Sequence, residues 1–131
     1  DANYTYARSI NEPDGENYIP LAAGFTSTGG LSVQNWNNFS GGLRYRYLAD
    51  RPANEDYSIT AEGYFVTDLN VNYTFRDLII GASVENLFNT AWNETQFATE
   101  SRLQNEVASV EEIHFTPGTP FFLKIGVTYK F

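Results

Sequence analysis

The feature that most constrains this chain is that the charges within its strand-like segments share one parity. In residues 65–75, Phe65, Thr67, Leu69, Val71, Tyr73 and Phe75 alternate with Val66, Asp68, Asn70, Asn72 and Thr74. Further on, Leu78, Ile80, Ala82 and Val84 alternate with Gly81, Ser83 and Glu85. At the end, Phe121, Leu123, Ile125, Val127, Tyr129 and Phe131 alternate with Lys124, Gly126, Thr128 and Lys130. Earlier, Phe39, Leu43, Tyr45 and Tyr47 oppose Ser40, Arg44 and Arg46. Successive side chains of a strand point to opposite faces, so this spacing predicts strands with one apolar and one polar face. Arg44, Arg46, Asp68, Glu85, Lys124 and Lys130 all fall on the polar face.

The same parity predicts pairing. A turn centred on Arg76 and Asp77 sets Phe75 against Leu78, Tyr73 against Ile80, Val71 against Ala82 and Leu69 against Val84, so the apolar faces coincide. Arg-Asp is not a favoured two-residue hairpin turn, which leaves the loop length open. Residues 3–7 predict a short strand with Tyr4 and Tyr6 on one face, 9–17 a loop rich in turn formers, 19–33 a strand and 34–38 a turn. Residues 50–60 and 89–120 predict long loops, the second holding a short strand over 110–115. About six strands result, joined by connections that alternate short and long, as in outer-membrane barrels. The strands at 64–75 and 121–131 are near the ~9 to 11 residues that a tilted strand needs to cross a bilayer. Aromatics gather at the strand ends, Tyr73, Phe75, Tyr129 and Phe131 toward one rim and Tyr47, Phe65, Phe88 and Phe121 toward the other. A soluble sandwich shares such alternation and is the competing class.

Composition narrows the function. The 131 residues make one domain or part of one, and the net charge of -8 with a pI near 4.4 argues against a nucleic-acid partner. Cysteine is absent, which excludes disulfides and thiolate metal sites. No apolar run is long enough for a membrane helix, and the first residues lack the pattern of an export signal, so that if the protein is exported its signal is expected outside this sequence. The lone His114, beside Glu111 and Glu112, has no second strong metal ligand at a fixed spacing and predicts a solvated loop histidine. It also makes a nucleophilic triad a poor expectation. Asp68 and Glu85, facing each other in the hairpin, have the form of a glycosidase-like carboxylate pair. Arg44 and Arg46 on the preceding strand predict instead a charge cluster of Arg44, Arg46, Asp68 and Glu85 on the polar face. No enzyme, cofactor or metal is expected.

Four stretches then carry a family resemblance: Asp68-Leu69-Asn70-Val71-Asn72-Tyr73, Val84-Glu85-Asn86-Leu87-Phe88-Asn89, Thr116-Pro117-Gly118-Thr119-Pro120 and the closing Val127-Thr128-Tyr129-Lys130-Phe131. In this order they resemble the C-terminal end of TonB-dependent outer-membrane receptors, and Asn17-Tyr18-Ile19-Pro20-Leu21-Ala22 resembles a segment where an earlier strand re-enters the membrane. The resemblance implies an all-β, antiparallel up-and-down transmembrane β-barrel segment, residues 1–131 forming about six C-terminal strands of a 22-stranded barrel whose plug domain and TonB box lie elsewhere. It implies a receptor in the cell outer membrane that imports a scarce ligand, foremost a ferric siderophore. Its partners would be outer-membrane lipid, the TonB complex through the missing N-terminal part, and the barrel assembly machinery. In that family Phe121, Leu123, Ile125, Val127, Tyr129 and Phe131 look like the assembly signal. Tyr18, Arg51, Tyr57, Trp92, Gln96 and Arg102 are the loop candidates for ligand contact. Other outer-membrane importers or channels, for glycan, haem or cobalamin, and a secreted soluble β-domain that binds a partner are the alternative functions.

Overall fold

The computed structural model describes residues 3–5 and 18–131. Among them every regular element is a β-strand, and no helix is long and apolar enough to cross a membrane, which says nothing of crossing by strands. The strands are β1 (Asn3–Thr5), β2 (Thr26–Trp36), β3 (Phe39–Leu48), β4 (Arg51–Pro52), β5 (Thr60–Ala61), β6 (Tyr64–Phe75), β7 (Leu78–Glu85), β8 (Asn93–Ser101), β9 (Val110–Pro117) and β10 (Phe122–Tyr129). A six-stranded antiparallel sheet runs in the order β1-β2-β3-β6-β7-β10, each strand beside its predecessor in the meander, and β4-β5 and β8-β9 form separate hairpins. The sheet is open, with β1 and β10 as its edges.

Register follows the parity. The expected pairs Phe75–Leu78, Tyr73–Ile80, Val71–Ala82 and Leu69–Val84 all form. Across five strands they extend into rows such as Leu31–Leu43–Leu69–Val84–Leu123 and Val33–Gly41–Val71–Ala82–Ile125. The opposite face carries Ser32–Gly42–Asn70–Ser83–Lys124. A one-residue slip at any pair would exchange these faces, which is why the alternation specifies the register so strongly.

The two short turns lie at one end of the sheet. Asn37 and Asn38, both with positive φ (48° and 69°), connect β2 to β3 in the backbone region that asparagine tolerates best after glycine. The expected turn over 34–38 is thus shorter than its boundaries: β2 runs to Trp36, and Gln34 with Asn35 bulges out against Ser40, whose hydroxyl accepts the Asn35 N–H. Arg76 and Asp77 make a two-residue turn, with Arg76 at φ 55°.

The long connections lie at the other end, and four expectations, three of them there, need correction. Residues 19–25 are not strand; Tyr18 N–H donates to the Glu55 carbonyl and Leu21 N–H to that of Pro52, so the loop over 50–60 engages the backbone groups that a sheet would have used. That loop contains the small β4-β5 hairpin. Residues 89–120 form a long β8-β9 hairpin where only one short strand was expected, because β8 (NETQFATES) lacks an apolar alternation. The closing strand spans Phe122–Tyr129, with Phe121 and Phe131 outside it, although Lys130 N–H still bonds the Asp77 carbonyl. Tyr6, Ala7 and the expected loop at 9–17 lie outside the described residues.

Burial is concentrated at the long-connection end. Ala53, Ala61, Val66, Thr67 and Val84 are buried there together with Arg51, Asn54, Asn86 and Gln96. The apolar face of the sheet is uncovered: Leu31 is 78% exposed, Ile125 66% and Val127 65%.

Candidate functional site

The long connections are knitted into one platform. Glu62 N–H donates to Gln96 Oε1 at 2.9 Å, and Gln96 Nε2 donates back to the Glu62 carbonyl at 2.7 Å. Asn54 Nδ2 donates to Glu111 Oε2 at 3.1 Å and to the Ser58 hydroxyl, while its Oδ1 accepts Ile59 N–H. These bonds tie the 50–60 loop and the segment after β5 to the β8-β9 hairpin.

A second set of bonds ties that hairpin to the sheet. Asn86, 1% exposed and at φ 51°, donates through Nδ2 to the Thr90 and Thr119 carbonyls and accepts Thr90 N–H on Oδ1. Its own N–H reaches Asp68 Oδ1, and Asn89 Oδ1 accepts Phe121 N–H. The Asn-Leu-Phe-Asn stretch is therefore a clasp that gathers the end of β7, the start of the hairpin and the approach to β10. Gly118 lies against the Trp92 indole so closely that a Cβ there would collide with it, and Trp92 Nε1 donates to the Thr119 carbonyl.

The loop candidates divide among distinct surroundings. Tyr18 and Tyr57 meet edge to face, 5.2 Å between ring centroids, and both remain exposed; Tyr57 is held at φ 57°. Beside them opens a cleft of about 510 Å³ lined by Pro20, Ala53, Asn54, Glu55, Asp56 and Glu111 with Ala98. The Asp56 carboxyl is held below its ordinary range, chiefly by the backbone N–H of Ser58 that it accepts at 3.0 Å, and further by the Ser58 side chain. Gln96 is buried with its amide engaged at both ends, and Arg51 is 8% exposed with Nη1 lacking a hydrogen-bond partner, so neither presents its polar group to the surface. Arg102 bonds the Glu106 carbonyl at the far tip of the β8-β9 hairpin. Trp92 lies over the polar face, packed on Tyr64 at 4.9 Å.

Of the four charges expected to cluster, Arg46 and Asp68 come together at 3.6 Å, and the Arg46 guanidinium also lies 5.4 Å from the Trp92 ring centroid. Arg44 is in register with Asp68, and Glu85 faces Phe122; neither makes an ion pair among the described residues. His114 is stacked on Phe97 at 5.7 Å, with Nε2 buried and unpartnered, rather than solvated as expected. Among the described residues no group of three or more His, Asp or Glu side chains is placed to hold a metal ion. Asn54, Glu55 and Glu111 were not legible as site residues; the Asn-Glu-Asp run at 54–56 signals a turn, but its approach to Glu111 is a long-range contact. The platform thus offers exposed aromatic faces beside an acid-lined cleft. No protein-family model matches this chain, and no curated protein matches it as a relative.

Proposed function

We propose that this chain forms part of the wall and outer loops of an outer-membrane β-barrel importer of the TonB-dependent receptor type, with a ferric siderophore as the foremost ligand class. The observation that carries the membrane part of this reading is the uncovered apolar face and its aromatic ends. Toward the short turns stand Trp36, Phe39, Tyr73, Phe75 and Tyr129, with Phe39 and Tyr73 in ring contact at 4.6 Å. Toward the long connections stand Tyr45 stacked on Phe65 at 5.5 Å and Tyr47 against Phe25 at 5.6 Å. Between them the exposed rows are aliphatic. From Phe65 to Phe75 is about 33 Å along the strand at roughly 3.3 Å per residue. At a tilt of about 40° this spans about 25 Å, the height of the apolar band in transmembrane barrels. In water so much contiguous apolar surface would drive association.

The meander order, the short turns at one end and the long connections at the other also support a barrel wall, completed by strands beyond the edges β1 and β10. The importer part rests on the sequence resemblance and on the preformed loop platform, where Tyr18 and Tyr57 offer ring faces to a ligand. Membrane fractionation followed by detergent extraction tests the wall: the protein is expected to need detergent, and a stable, detergent-free monomer would overturn it. Uptake of labelled ferric siderophore by cells with and without the gene tests the importer, with equal uptake as the outcome that refutes it.

A further inference from the structure

The apolar face has one built-in gap. In the row Val33–Gly41–Val71–Ala82–Ile125, the β3 position has no side chain, whereas the rows on either side place Leu43 and Phe39 there. The result is a groove of about 400 Å³ walled by Leu31, Val33 and Trp36 on β2, Leu43 on β3 and Leu69 and Val71 on β6. No charged side chain lines it. The gap cannot be filled from position 41 without a shift, because a Cβ there would collide with the Asn70 carbonyl.

Resting on the reading of this face as membrane wall, we propose that the groove binds one acyl chain of an anionic phospholipid, whose phosphate is held at the short-turn rim by Arg76. The groove opens on the apolar face and presents almost only apolar atoms, so in a bilayer a hydrocarbon chain is the matching occupant. The groove is one strand position wide, which suits a single chain and is too narrow for a helix or a strand of another protein. Trp36, 69% exposed, stands at its rim end, where an indole favours the interfacial layer. Tyr73 and then Phe75 continue the apolar face to the turn, and the Arg76 guanidinium lies over the Phe75 ring, 5.4 Å from its centroid. That contact holds the cation on the apolar side of the rim, where a lipid phosphate would lie. Asp77 is the acid beside it on the same turn.

Trp36 provides the readout. The protein is reconstituted in uncharged phosphatidylcholine bilayers, brominated phosphatidylglycerol is titrated in, and the Trp36 signal is isolated as the difference from the Trp36→Phe variant. Saturable quenching is expected, with an apparent affinity about fivefold weaker in Arg76→Gln, the effect of one surface cation on an anionic lipid. Val33→Phe, which fills the groove from the β2 side and leaves Gly41 intact, should abolish the saturable component. Quenching that rises linearly with brominated lipid and is the same in all variants would overturn the site while leaving the wall reading intact. An absence of quenching with brominated phosphatidylcholine as well would overturn the wall reading and the site together.

Discussion

The six-stranded sheet, the wall of the proposed barrel, and the loop platform invert each other's burial. On the wall, Leu31, Ile80, Ile125 and Val127 are exposed and the strands that carry them have almost no buried residue at mid-length; on the platform, Arg51, Asn54, Asn86 and Gln96 are buried. Leucine outside and arginine inside reverses the usual order of a protein that meets water on all sides. The wall leaves its aliphatic rows uncovered, which the proposed bilayer would cover. The platform, which has few large apolar side chains to bury, holds itself together by directional bonds to backbone groups, as at Asn86 and Gln96. Such bonds are costly to break once buried, so the platform is held in one shape.

The sharpest way to break this comparison is to exchange charge between the faces of the wall at one depth. Ile125→Lys is expected to cost about 2 to 4 kcal/mol of stability in bilayers, whereas Asn70→Lys on the polar face should cost little. Equal costs in reversible unfolding from lipid would mean that both faces meet the same medium. Next in size is the clasp: Asn86→Ala leaves the Thr90 N–H and carbonyl without their side-chain partner and the Thr119 carbonyl with Trp92 Nε1 alone, at about 1 to 3 kcal/mol. Its signature is faster amide exchange over residues 90–121, with β6 and β7 protected as before; uniform acceleration would show that platform and wall are one cooperative unit.

A smaller effect is expected at their junction. Arg46 and Asp68 are both partly exposed, so Arg46→Gln should cost under about 1 kcal/mol. It should nevertheless shift the emission of Trp92, on which the guanidinium lies, and an unchanged spectrum would remove that contact. The smallest effect concerns Asp56. Its folded pKa lies below the ordinary value of 3.8, so it favours the folded loop above that pH, and the contribution is lost as pH falls through the lower folded value. A carboxyl titration by NMR that gives 3.8 or above for Asp56 would contradict the Ser58 contacts.

Much of the wall was legible in sequence because its information is local. Parity alone assigned Leu69, Val71 and Tyr73 to one face and set them against Val84, Ala82 and Ile80. The misses fall where no period exists. NETQFATES has no alternating apolar set, and its strand is visible only through pairing with VEEIHFTP, where Phe97 meets His114. Residues 19–25 carry enough apolar character to resemble strand, but Pro20 and the bonds of Tyr18 and Leu21 to the 50–60 loop divert them. Among the site candidates, Tyr18 and Tyr57 proved to be neighbours, while Gln96 and Arg51 proved to be interior. Residue type cannot distinguish an amide that greets a ligand from one that bonds a distant backbone.

The sequence by itself determined that the chain is antiparallel β with a greasy and a wet face, since a period of two leaves a strand no other way to sort its side chains. Only the tertiary structure decided that six strands form an open sheet, that the Asn-Leu-Phe-Asn stretch is a clasp, and that Gly41 opens a groove walled from two neighbouring strands. Each of these depends on contacts between residues far apart in the chain, which alternation along one strand does not encode.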